Sequence, residues 1–104
     1  MHIVEVTVGK GALCAEILST LPSWFGIAEA NAAYARDVEA MPMFAAVAGE
    51  ATLGFLALKK HTPHAFEIHV MGVRPERHRS GAGRALVEAA AVHARGQGAR
   101  FLTV

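Results

Sequence analysis

The chain of 104 residues is 53% apolar and 18% charged, with a formal charge of +1. That length fits one domain built on a single core, and the composition excludes a disordered tail. The near balance of charge, without long Lys/Arg runs, gives no global electrostatic case for nucleic acid or a membrane surface, so neither is expected as a partner.

In chain order, residues 2–8 alternate Ile3, Glu5 and Thr7 against Val4, Val6 and Val8, the pattern of a half-buried strand. Gly9 and Gly11 break it. Leu13, Cys14, Ile17, Leu18 and Leu21 then recur at helical spacing until Pro22, which removes an amide donor and restricts Leu21. Within that stripe the lone Cys14 reads as a buried thiol rather than a nucleophile, and with no partner for a disulfide it suits a reducing compartment. Residues 29–41 predict a second helix, with Ala30, Ala33, Tyr34, Val38 and Met41 on one face, Glu29, Arg36 and Glu39 in water, and an end near Pro42.

From residue 43 to residue 73 the period shortens to two. "MFAAVA" and "ATLGFLALKK" on either side of the turn-prone "GE" predict a hairpin, "HTPH" at 61–64 a second turn, and "AFEIHVMGV" a third strand. "GAGRALVEAAAVHARGQG" predicts a helix that stops at Gly96 or Gly98, and "ARFLTV" a final strand. The sequence carries no basic segment followed by an apolar stretch of signal-peptide type and no apolar run of bilayer length, so a cytoplasmic location is expected.

This order sets "VRPERHRSGAGRAL", residues 73–86, between a strand and the N-terminus of a helix. Unpaired backbone amides and the positive end of the helix dipole converge there. Gly81 and Gly83 let an anion reach the backbone without a Cβ in the way, and Arg77, Arg79 and Arg84 add compensating charge, so a phosphate or pyrophosphate is the expected ligand. Two other phosphate loops are excluded by spacing. GxxxxGK(S/T) needs a Lys followed by Ser or Thr that is missing here, and GxGxxG fails because Leu86 occupies the third Gly position.

The wider string resembles the cofactor-binding motif of the GNAT superfamily of N-acetyltransferases, Gln/Arg-x-x-Gly-x-Gly/Ala after a strand that exits through Val-x-Pro-Glu. Val73, Pro75 and Glu76 match the exit and Gly81-Ala82-Gly83 the Gly-x-Gly, while His78 stands at the Gln/Arg position. The resemblance implies an α/β fold, the GNAT-like (acyl-CoA N-acyltransferase) mixed sheet in the order β-α-α-β-β-β-α-β. It implies acetyl-CoA as acyl donor, its pyrophosphate held by His78, Arg79, Ser80, Gly81, Ala82, Gly83 and Arg84, and its pantetheine arm by backbone groups of Met71, Gly72 and Val73. The activity implied is transfer of the acetyl group to a primary amine of a small molecule or peptide.

An amine is protonated in water and attacks only after losing a proton, so the reaction calls for a base. Period-two alternation predicts Glu67, His69 and Met71 on one face of the strand leading to the loop. Glu67 is the first candidate, since some family members carry a base glutamate six residues before the Val and Glu67 is six before Val73. His69 is the second, its side chain being suited to the task when neutral. The alternative for both is a satisfied polar pair on a solvated sheet face. Trp24, Phe25 and Tyr34 fall where the family borders its acceptor pocket, with simple core packing as the other reading. His2, His61, His64 and His93 lack the His/Cys/Asp/Glu spacing of zinc sites, and no metal is expected.

Family domains usually continue past the strand matched by "RFLTV" into a further helix and two strands. The expectation is therefore a single incomplete domain, truncated at the C-terminus, whose last strand with Phe101 and Leu102 forms an exposed edge and pairs two copies into a homodimer. Poor acetylation is expected, and a non-catalytic acyl-CoA-binding or interaction module is the alternative function.

Overall fold

The computed structural model describes residues 1–21 and 28–103. Strand β1 (His2–Val6) leads into helix α1 (Lys10–Leu18); helix α2 (Ala28–Asp37) ends in a 3₁₀ turn (Val38–Ala40). Strands β2 (Met43–Ala48), β3 (Ala51–Thr62) and β4 (Ala65–Val73) follow, then a second 3₁₀ turn (Pro75–Arg77), helix α3 (Ala82–Gly96) and strand β5 (Phe101–Thr103). The five strands form one sheet in sequence order, antiparallel from β1 to β4 and parallel between β4 and β5. A parallel pair needs a crossover, and α3 supplies it.

The β2–β3 hairpin closes at Gly49-Glu50, where Gly49 takes φ +59 and Ala48 pairs with Ala51. The turn expected over 61–64 is narrower in the fold. β3 runs on through Thr62, with Lys59 opposite Glu67, Lys60 opposite Phe66 and Thr62 opposite Ala65, so cross-strand pairing outweighs the polar composition and only residues 63–64 turn.

Helices cover both faces of the sheet. On one face Leu86, Ala90 and Ala94 of α3 pack on Phe44, Leu53, Leu56, Leu58 and Phe66. Small alanines let the helix approach closely, and replacing the fully buried Leu86 by Ala would cost about 2–5 kcal/mol. On the other face Cys14, Ile17 and Leu18 of α1 and Val38 after α2 pack on Met43, Phe55, Ala57 and Val70. Burial pushes the Cys14 thiol up to about 11, so it offers no thiolate at neutral pH. Trp24 and Phe25 lie outside the described residues, while Tyr34 is half-buried against this second cluster.

One local irregularity decides where the polar side chains point. Ala57 pairs with Val70 but Leu58 pairs with Ile68, so β4 carries one extra residue, His69, at a β-bulge. Phe66 and Ile68 belong to the α3 face, Val70 to the α1/α2 face, and Met71 and Val73 to the α3 face again. The expectation that Glu67, His69 and Met71 share one face is thus corrected: Glu67 and His69 do, and the bulge sends Met71 to the opposite side. Among the described residues no helix is long and apolar enough to cross a membrane.

Candidate functional site

The segment between β4 and α3 is fastened at its start. The Arg74 amide donates to the Leu53 carbonyl at 2.8 Å and its Nε to the Thr52 carbonyl at 2.7 Å, while its guanidinium lies 3.2 Å from Glu16 of α1. Arg74 is therefore consumed within the fold, a role its place in a basic string did not announce. His78 turns back so that Nε2 donates to the Val73 carbonyl at 2.9 Å. Arg79 takes φ +65 and Gly81 φ +90, two left-handed positions that wind the chain into the helix.

Gly81 is the N-cap of α3, with no side-chain cap and no acidic residue in the first turn. The amides of Ala82, Gly83 and Arg84 consequently have no intrahelical acceptor, and only Ala82 reaches a side chain, the Ser80 hydroxyl at 3.4 Å. Ala82 buries its methyl in the core, whereas Arg77, His78, Arg79, Ser80, Gly81 and Arg84 are exposed. A Cβ built on Gly83 would meet nothing nearer than Val73 Cγ2 at 3.8 Å, so the space over its amide is open. Positive dipole, free amides and exposed cations make a cradle for a phosphate-type anion. Arg84 lies 3.7 Å from Glu88, both well exposed, a contact worth little.

The cradle continues a second open feature. β5 pairs with β4 only at Ala65, Phe66 and Glu67, so from residue 68 to residue 73 the far edge of β4 has no strand partner among the described residues. The Arg74 amide points at β3, and by alternation so do the backbone groups of Gly72, while those of Met71 and Val73 face the open edge. Gly72 is the residue the backbone needs bare: a Cβ there would sit 3.2 Å from Phe55 and 3.3 Å from Ile17. A long thin ligand would thus run along Met71 and Val73 directly into the amides of the helix.

The two titratable candidates differ in environment. Glu67 accepts a hydrogen bond from His61 Nε2 at 2.8 Å. That bond above all, with the charges of His61, His69 and Lys59 against some desolvation, holds its carboxyl below the ordinary value of 4.5. His69 is mostly buried, its ring edge-on to Tyr34 at 5.6 Å. Its Nε2 lies 3.4 Å from Asp37 Oδ2, an approach that lacks hydrogen-bond geometry and leaves the buried nitrogen unsatisfied. Asp37 was invisible to sequence reasoning, since nothing local links it to His69, and His61 was hidden by the turn expected there. Among the described residues no three His, Cys, Asp or Glu side chains gather as metal ligands would.

Comparison with known proteins follows the same lines. The sequence profile of the Acetyltransferase (GNAT) family matches residues 13–104. A search of curated proteins returned no match. Among solved structures, an aminoglycoside 6′-N-acetyltransferase complexed with coenzyme A superposes with TM-score 0.78 at 20% identity, over 95% of this chain and 58% of its own. A putative GNAT acetyltransferase from Desulfovibrio desulfuricans gives TM-score 0.80 at 19% identity, over 96% and 69%. A ribosomal-protein-alanine N-acetyltransferase from Brucella melitensis biovar Abortus 2308 gives 0.75 at 16%, over 99% and 78%. The chain spans less than two thirds of the first of these relatives.

Proposed function

This chain belongs to the GNAT acetyltransferase family, and on that premise we propose that it binds acetyl-CoA and transfers the acetyl group to a primary amine of a small molecule or peptide. The observation that carries the proposal is that the unpaired edge of β4 among the described residues leads, past His78 on the Val73 carbonyl, to the uncapped amides of α3. In this reading the free amides of Ala82, Gly83 and Arg84 and the exposed cations of Arg79 and Arg84 hold the pyrophosphate, and the backbone of Met71 and the amide of Val73, whose carbonyl already accepts from His78, hold the pantetheine arm. Acetyl-CoA supplies the activated acyl group. The protein's part is to fix it, exclude water and accept the proton that the attacking ammonium must lose, with Glu67 and His69 as the groups on the strand able to do so.

The structural relatives named for aminoglycosides and for a ribosomal protein's alanine both act on amines, which supports the substrate class. The reading extends to a homodimer: among the described residues β5 lies at the edge of the sheet, and Phe101 on it is 64% exposed. A reducing cytoplasm suits the free Cys14 thiol.

Release of free thiol from acetyl-CoA in the presence of an amine panel tests the proposal. Amine-dependent thiol release is the expected result. Saturable binding without release across aminoglycosides, polyamines and peptides would make the chain an acyl-CoA-binding module instead.

A further inference from the structure

We propose that Asp37 positions His69 as the proton acceptor of the reaction, its carboxylate keeping the neutral imidazole protonated on Nε2 and leaving Nδ1 to take the proton of the attacking amine. The proposal rests on the transferase reading above and adds the identity of the base and of the residue that orients it.

Three observations lead there. First, the β-bulge lifts His69 out of the β3–β4 ladder just beyond the point where β5 pairing stops, in the open stretch of β4. Second, Nε2 is buried without a hydrogen bond, and the Asp37 carboxylate is 3.4 Å away. A carboxylate repels a nitrogen lone pair and attracts an N–H, so the proton of the neutral ring belongs on Nε2. A 3.4 Å approach shortens to a hydrogen bond with a small rotation of the exposed carboxylate as the reacting groups are brought together. Third, Glu67, the competing acceptor, is already engaged by His61 and binds a proton less readily than an ordinary carboxylate.

The charged and titratable groups around His69 are Asp37 and Tyr34 on α2, Glu67 on β4, and His61 and Lys59 reaching Glu67 from β3; Cys14 of α1 lies in the same cluster. In the step proposed, one ammonium proton passes to Nδ1 and then to water. The amine lone pair then forms the C–N bond, the C–S pair leaves with sulfur, and the second proton lost from nitrogen ends on that sulfur. The imidazolium formed midway sits beside Asp37, which stabilises it.

Histidine ¹⁵N NMR on the full chain, with kinetics, tests this in the wild type, Asp37→Ala and Asp37→Glu. Asp37 is half exposed at the end of α2, so a folded Ala variant is expected, and the dispersion of the amide spectrum verifies it. The expected result is an Nε2–H tautomer for His69 in the wild type, a mixture in Asp37→Ala, and recovery in Asp37→Glu. Turnover should follow the tautomer: kcat falls about tenfold or more in Asp37→Ala with the KM for acetyl-CoA little changed, and Asp37→Glu recovers it. An identical tautomer in wild type and Asp37→Ala, or unchanged kcat, overturns the proposal. Should the wild type acetylate no amine, the transferase reading fails separately, and the tautomer alone decides whether Asp37 orients His69.

Discussion

His78 folds back onto the strand it follows, Nε2 donating to the Val73 carbonyl at 2.9 Å on the edge of β4 that no other strand among the described residues occupies. The bond ties the middle of the anion loop to the end of the strand, so loop and edge behave as one unit. His78→Ala is expected to lower stability by only about 0.5–1.5 kcal/mol, since the bond is exposed, yet to speed amide exchange across residues 76–81 markedly. Unchanged exchange there would mean that the imidazole is incidental to loop order.

Arg79 is the sole non-glycine among the described residues with positive φ, at +65. Left-handed backbone costs an L-residue about 1–2 kcal/mol, partly offset in any glycine replacement by the entropy that glycine gains when unfolded. Arg79→Gly should therefore raise Tm by up to about 5 °C, whereas Arg79→Val should lower it. A fall in Tm for the glycine variant would show that the arginine side chain, not the backbone, matters to the fold. Loss of this exposed cation should also flatten the salt dependence of acetyl-CoA binding, read from titrations at two ionic strengths.

The His61–Glu67 pair gives a pH signature. Because the Glu67 carboxyl titrates below its ordinary value of 4.5 in the folded chain, the pairing stabilises the fold above that value and the contribution is lost as pH falls through the lowered one. His61→Ala should move the Glu67 midpoint back up toward 4.5 in a carboxyl ¹³C titration. A midpoint that stays low would assign the shift to Lys59 and His69 instead.

Gly11 marks the contact between α1 and the end of α2. A Cβ there would stand 2.6 Å from the Ala35 carbonyl oxygen and 2.8 Å from Glu39 Oε2, which already accepts the Gly11 amide at 3.0 Å. Gly11→Ala should cost about 1–3 kcal/mol in a denaturant melt. Gly96→Ala, at the open end of α3 with nothing within 4 Å, serves as its control and should be neutral or stabilising by up to about 1 kcal/mol. Equal effects would contradict the crossing geometry.

Local chemistry carried much of this architecture into the sequence. β4 occupies the stretch its alternation marked, α3 ends at one of its two candidate glycines, and the Gly49-Glu50 turn closes the hairpin. The bulge at His69 was hard to read because "FEIHV" alternates without a break and the apolar pair Val70-Met71 does not say where the period slips; the extra residue is set by register against β3. The same holds for Asp37 beside His69 and for Arg74 on Glu16 and Thr52, pairings between distant segments made only by tertiary packing. Of the cofactor loop, the glycines and cations were legible; which backbone groups face the open edge was not.

The most direct test of the account is calorimetric titration of acetyl-CoA into the wild type and into Gly83→Val. The side chain added at position 83 has room near Val73, so the variant should stay folded, but it stands over the amides assigned to the pyrophosphate. Saturable binding by the wild type, weakened tenfold or more in Gly83→Val, about 1.4 kcal/mol or above, is the predicted result. Equal affinity in the two proteins, or no binding by the wild type, would contradict it.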